Sequence, residues 1–158
     1  MTDPVTTSPV DEQRASALLS HLASADQQGA AFIVNQSAAD GRHTALLAAI
    51  ADTGGKLMAA LRTDTGIEAA VSMVQAWVEQ DESPDHRRAG GIIACRFQFE
   101  HAHFLGHIAD AAAAGRLDEL VLTTAQCYLA LMPELHAPKG RATLAQMAAA
   151  LSSESPDR

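Results

Sequence analysis

The fold is decided by residues 84–114, which read PDHRRAGGIIACRFQFEHAHFLGHIADAAAA. Pro84 suits the first position of a helix, and no strong stop signal follows it before Gly115. At 1.5 Å per residue, this stretch predicts one long helix of about 45 Å. Gly90-Gly91 and Gly106 are the places where such a helix would bend.

The composition of the whole chain also favours helices. The 158 residues include 33 Ala and 16 Leu, against 7 Val and 6 Ile, so good helix formers far outnumber the β-branched residues that favour strands. We expect an all-α fold, a compact bundle of about 5–7 helices built from antiparallel helical hairpins. The length fits a single helical domain over residues 11–151, between polar, proline-containing flexible tails at residues 1–10 and 152–158.

Two local signals set expectations for the helices before residue 84. Thr65 and Glu68 have the spacing of a capping box, which predicts that a helix begins at Thr65. Gly54-Gly55 interrupts a regular apolar pattern over residues 42–62, and two glycines cost a helix about 2 kcal/mol relative to alanine. The pair therefore predicts a kink, a break or a place where another backbone approaches closely.

A faint internal repeat links two segments that each begin with histidine, at an offset of 58 residues. His43 begins the pattern H-x-x-L-L-x-x-I-A-D, and His101 begins H-x-x-F-L-x-x-I-A-D. A duplicated helical hairpin would explain the likeness. Amphipathic helices rich in alanine and leucine also resemble one another by chance, so both explanations stay open.

The charge of the chain argues against two classes of partner. The net charge is −8, and the 11 basic residues include only 2 lysines and no run longer than Arg87-Arg88. Nucleic acid and anionic membrane surfaces would repel such a chain, so we expect neither as a partner. The first residues lack the basic and apolar regions of a signal peptide, and Cys95 and Cys127 form no disulfide framework. These features predict a cytoplasmic protein.

One cluster of side chains has the chemistry of a metal site. On a continuous helix, Glu100, His103 and His107 are spaced by three and four residues, so all three would reach one ion. They predict a site for zinc or iron, with further ligands from His43, Asp52 or a second subunit. An acid–base or phosphate-relay role is a further alternative.

The same residues also fit an ordinary charged helix surface, and this is the leading interpretation. On one helix Arg96 would pair with Glu100, Glu100 with His103, and His107 with Asp110, each pair contributing about 0.2–0.5 kcal/mol. This interpretation gives the chain no catalytic residue and no cofactor.

The aromatic residues favour a second copy of the chain as a partner. On a continuous helix the rings of Phe97 and Phe99 point about 160° apart, so one of them needs a surface outside the chain's own core. Trp77 is a further candidate for a dimer contact. We therefore expect a non-catalytic interaction or scaffold protein that acts as a homodimer. The alternatives are a metal- or small-ligand-binding bundle, with or without enzymatic activity, and a sensor of an apolar ligand held between alanine-rich helices.

Overall fold

A computed structural model of the chain describes residues 6–80, 82–98 and 101–153. Within these ranges the chain forms eight α-helices and one short 3-10 helix, and no strand. The helices are α1 Pro9–Ala23, α2 Gln27–Ala39, α3 His43–Leu61, α4 Asp64–Gln80, α5 Pro84–Gln98, α6 His101–Ala113, α7 Leu117–Leu131, the 3-10 helix Pro133–His136 and α8 Pro138–Ser153. The predicted all-α helical bundle is confirmed.

The predicted long helix over residues 84–114 is wrong, because α5 and α6 are separate helices that pack side by side as a hairpin. Nε of Arg88 on α5 lies 2.7 Å from Oδ2 of Asp110 on α6. A methyl group added to Gly91 on α5 would overlap the ring of His107 on α6. These two contacts require the chain to reverse direction between the helices. A straight helix of about 45 Å would leave much of its apolar length without a partner, whereas each arm of a hairpin covers the other.

The eight helices are two copies of one four-helix unit, α1–α4 and α5–α8. α2, α3 and α4 begin 74 residues before α6, α7 and α8, and α1 and α5 are both 15 residues long. α1 packs on α8 and α4 packs on α5, so the last helix of each unit covers the first helix of the other. This reciprocal contact is what an approximate twofold axis produces. The likeness between His43 and His101 at an offset of 58 does not reflect this repeat, since these residues begin the third helix of one unit and the second of the other.

Core and turn positions repeat residue by residue at the offset of 74. The same residue type stands in both units at Asp11 and Asp85, Arg14 and Arg88, Ala15 and Ala89, Gly41 and Gly115, Arg42 and Arg116, Leu46 and Leu120, Ala51 and Ala125, Leu57 and Leu131, and Met58 and Met132. The apolar members of this set are all buried. The two units therefore contribute equivalent side chains to one shared core.

The same turn joins the second and third helices of both units. It contains a glycine with a φ of 66° in the first unit and 68° in the second, a conformation that other residues adopt only with strain. The arginine after this glycine reaches back to an aspartate in the first turn of the unit's first helix. Arg42 contacts Asp11 in this way, and Arg116 lies 2.5 Å from Asp85. Each ion pair ties the first and third helices together.

α3 continues unbroken from His43 to Leu61, so Gly54-Gly55 marks a close approach and neither a kink nor a break. The approach is by side chains: the ring of Tyr128 lies over Gly54, and the guanidinium of Arg96 lies beside Gly55. α3 also has the length and apolar composition of a membrane span, but 56% of that window is buried inside the protein, as expected for a central core helix.

The helix ends differ slightly from the sequence expectations. Thr63, not Thr65, caps α4, because its Oγ1 accepts a hydrogen bond of 3.2 Å from the Gly66 N–H and so satisfies a donor in the first turn. α1 begins at Pro9 and α8 ends at Ser153, so each helix extends two residues beyond the predicted domain of 11–151.

Candidate docking surface

α2 is the one described α-helix without a charged or titratable side chain; its sequence is QQGAAFIVNQSAA. One side of it is buried, through Ala30, Ile33, Val34 and Ser37. The exposed residues of α2 are Gln27, Gln28, Ala31, Phe32, Asn35, Gln36, Ala38 and Ala39. A chain with a net charge of −8 therefore presents one neutral helix surface to solvent.

Phe32 lies near the middle of this surface and is 59% exposed, more than any other large apolar residue in the described part of the chain. The fold does not need a ring there, because the equivalent position in the second unit is Gly106, which is also exposed. A methyl group added to Gly106 would meet no atom within 4 Å. An exposed ring gains little from folding, and the exposure leaves Phe32 accessible to a contact outside the chain.

Both ends of α2 are held in place. The carboxylate of Asp26 accepts a hydrogen bond of 2.9 Å from the Gly29 N–H and lies 2.9 Å from Nδ1 of His21. The bond from Gly29, followed by the contact with His21, lowers the pKa of Asp26. At the other end Asp40 lies 2.5 Å from Arg14 on α1. The exposed face of α2 is thus carried on a fixed helix.

An open cleft of about 260 Å³ lies between the first residue of α2 and α7. The residues that line it are Leu22, Gln27, Gln126, Leu129, Ala130 and His136. Leu22 and Leu129 are buried and form an apolar floor, while Gln27 and Gln126 are exposed at its edge. The cleft gives a partner amide groups and apolar area, and His136 is its one titratable lining residue.

The structure describes two of the three predicted metal ligands, since Glu100 lies outside the described residues. His103 and His107 lie one turn apart on α6, His103 exposed and His107 half-buried beside Gly91. Burial, followed by the nearby His103, lowers the pKa of His107. In the part of the chain that the structure describes, no group of three or more His, Cys, Asp or Glu side chains is placed to hold a metal ion.

The further ligands predicted for that site contact other elements. Asp52 lies 2.8 Å from Lys56 and 3.3 Å from Arg96. Nε2 of His43 lies 2.8 Å from Oδ1 of Asp118, but the geometry does not make a hydrogen bond, so the contact is electrostatic. The structure therefore does not bring His43 or Asp52 to the histidines of α6.

Two members of the predicted helix-surface pairs make contacts between helices, and the predicted pairs of Glu100 lie outside the described residues. Arg96 of α5 pairs with Asp52 of α3, and Asp110 of α6 pairs with Arg88 of α5. The contact of Asp110 with Arg88 follows from the hairpin, which sets α6 against α5.

The predicted interface residues lie close to the core. Trp77 and Phe97 are partly buried and pack against the core, and Phe99 lies outside the described residues. The reasoning that set the rings of Phe97 and Phe99 on opposite faces required one continuous helix and no longer applies. Contact of these residues with another copy stays a prediction.

Phe32 was not singled out from the sequence as an exposed residue. A signal was present, because residues 27–39 contain no charge and place Gln28 and Gln36 four residues before and after Phe32. The sequence does not show which side of α2 is buried. Without that information, a single aromatic residue in an apolar helix is expected to lie in the core.

The fold and this surface define a class of protein: an all-α bundle of two repeated four-helix units with one neutral helix face exposed. Comparison of the chain with protein-family models, with characterised proteins and with solved structures gave no significant match. Function is therefore inferred from the surface itself.

Proposed function

We propose that the chain is a non-catalytic interaction protein that acts as a homodimer, with the exposed face of α2 as its docking surface. One observation carries the proposal: Phe32 is 59% exposed in the middle of a helix without charge. The centres of protein–protein interfaces are poor in charged residues and rich in aromatic ones, whereas ordinary surfaces are charged. The net charge of −8 further favours a protein partner over nucleic acid.

Two lowered carboxyl pKa values have a structural cause. The hydrogen bond from Arg116 lowers the pKa of Asp85, and the hydrogen bond from Arg62 lowers the pKa of Glu134. Both pairs join helices that are distant in the chain, which is a structural use of charge.

Sedimentation equilibrium of the untagged protein tests the homodimer. The chain has a mass of 16.6 kDa, so we expect the weight-average mass to rise with concentration toward that of a dimer, about 33 kDa. A mass that stays at that of a single chain up to several hundred micromolar would contradict the proposal.

A metal-binding bundle is the second candidate, favoured by the spacing of His103 and His107 on α6. Elemental analysis of protein purified without a histidine tag decides it. Zinc or iron near one equivalent, lost in both His103→Ala and His107→Ala, would favour this candidate, whereas metal-free protein would leave the interaction role.

A further inference from the structure

We propose that two copies of the chain associate through an antiparallel pair of α2 helices, with Phe32 at the twofold axis. This inference rests on the proposed function, because it assigns the surface and the geometry of the homodimer. It goes beyond that function in naming the contacts that the second copy makes.

The exposed face of α2 is palindromic about Phe32 in one pair of residues, Gln28 and Gln36. Gln28 precedes the ring by four residues and Gln36 follows it by four, so both lie on the ring's own face, one turn to either side. In an antiparallel pair centred on Phe32, Gln28 lies level with Gln36 of the second copy. A primary amide both donates and accepts hydrogen bonds, so the two glutamines satisfy each other across the axis. A twofold contact requires this kind of self-complementarity.

Small neighbours let the two helices approach each other. Around the helix axis, Ala39 points in nearly the same direction as Phe32, and Ala31 and Asn35 lie beside it on one side. The two rings then cover each other, together with the alanine methyl groups beside them. Small side chains at a helix contact permit interaxial distances of about 8–10 Å.

Charge favours a second copy over other partners at this face. Each copy carries a net charge of −8, so two copies repel each other unless they meet at a face without excess charge. α2 itself contributes no charge, and the aspartates that cap its two ends, Asp26 and Asp40, each lie beside a basic side chain, His21 and Arg14. A strongly charged partner would find no complementary charge on the helix.

The second unit supplies an internal comparison. At the offset of 74, Phe32 corresponds to Gly106 and Gln36 corresponds to Asp110, which pairs with Arg88. The same scaffold thus carries the palindromic face on α2 and lacks it on α6. The face is an addition to the repeat and not a requirement of its packing.

The size of the surface predicts a weak dimer. A helix of 13 residues is about 20 Å long, so an α2 pair buries less than the roughly 800 Å² per partner of a standard interface. We expect dissociation constants in the micromolar range.

Matched aspartate variants test the surface by sedimentation velocity. Phe32 is 59% and Met73 on α4 is 49% exposed, so both tolerate a polar residue without loss of the fold, which circular dichroism verifies. We expect Phe32→Asp to weaken the dimer at least tenfold and Met73→Asp to leave it unchanged. A dimer that Phe32→Asp does not weaken overturns this inference while leaving the homodimer standing; a monomeric wild type overturns the proposed function itself.

Cysteine variants test the axis, because the native Cys95 and Cys127 are buried. Two Cα atoms at the centre of an antiparallel pair lie within the span of a disulfide, about 4.4–6.8 Å. We expect Phe32→Cys to form an interchain disulfide under mild oxidation and Met73→Cys to form none. Equal cross-linking of both variants would overturn the assigned axis.

Charge pairs test the register. In the double variant Gln28→Lys, Gln36→Glu, each lysine faces a glutamate of the second copy, so we expect the dimer to persist. In Gln28→Lys, Gln36→Lys, like charges face each other, and we expect at least tenfold weaker association. Equal effects of the two variants would contradict an antiparallel register.

Discussion

Gly54 and Tyr128 occupy equivalent positions in the two units and touch each other where α3 packs on α7. A residue that contacts its own equivalent lies on the axis that relates the two units. In this closed core there is room for one large side chain at the axis, where Gly54 meets the fully buried ring of Tyr128. The Tyr128 hydroxyl donates a hydrogen bond of 3.2 Å to the Ala51 carbonyl, and burial raises the pKa of the phenol.

Gly54→Ala should destabilise the protein. A methyl group at Gly54 would lie 2.5 Å from Cδ1 of Tyr128, and overpacking of a closed core costs about 1–3 kcal/mol, more than the helix gains from alanine. The matched control is Gly106→Ala on α6, where the methyl group has open space and the helix gains about 0.5–1 kcal/mol. Urea denaturation measures both, and equal midpoints for the two variants would contradict this account of the axis.

The two equivalent arginine–aspartate pairs should differ in their contribution to stability. The Asp11 side chain is 1% exposed, so Arg42→Met leaves a buried carboxylate without its cation. Asp85 is more exposed and keeps a second contact with an arginine, Arg88 at 3.4 Å. We expect Arg42→Met to lower the urea midpoint more than Arg116→Met does. The reverse order would show that burial does not set the strength of these pairs.

Acid should begin to destabilise the protein as pH falls below about 4.5. The folded pKa values of Asp85 and Glu134 lie below their ordinary values of 3.8 and 4.5, so the unfolded state binds protons more readily. The stability from both groups is present above these ordinary values and is lost as pH falls through the folded ones. Urea midpoints between pH 7 and pH 3 should show this loss, and Asp85→Asn should reduce it. A variant with the same pH dependence as the wild type would count against a role for Asp85.

His107→Ile should remove a loss of stability in mildly acidic solution. Burial and the nearby His103 lower the pKa of His107, while Asp110 opposes this; the ordinary value is 6.5. The unfolded state therefore takes up the proton first, and stability falls as pH drops through 6.5 toward the folded pKa. The equivalent residue on α2 is the buried Ile33, so isoleucine suits the position. Thermal unfolding at pH 7.5 and pH 5.5 measures the effect, which should shrink in the variant but persist in His136→Ile.

The sequence allowed the fold class to be predicted, because alanine and leucine dominate it and the start at Ser83-Pro84 is strong. The backbone N–H of His86 donates to Ser83 Oγ at 3.5 Å, which caps the helix that begins at Pro84. The hairpin of α5 and α6 was not predictable from the local sequence. No proline or glycine stands between Gly91 and Gly106, and the reversal is favoured by packing between distant residues such as Arg88 and Asp110.

The repeat was readable in the sequence, but at another offset. The likeness between His43 and His101 came from helix periodicity, whereas the offset of 74 matches turn and ion-pair residues such as Arg42 and Arg116. In a chain so rich in alanine, matches at turn and charged positions identify a true repeat better than matches at apolar positions do. The exposure of Phe32 could not be predicted from the sequence for a different reason. It depends on which side of α2 the rest of the fold covers.

Hydrogen exchange at two protein concentrations tests self-association through α2 most directly, with α6 as the built-in control. We expect amides of residues 27–39 to exchange more slowly as the protein passes from low to high micromolar concentration, while those of residues 101–113 keep their rates. Unchanged rates in α2 at concentrations where sedimentation shows a dimer would contradict the account.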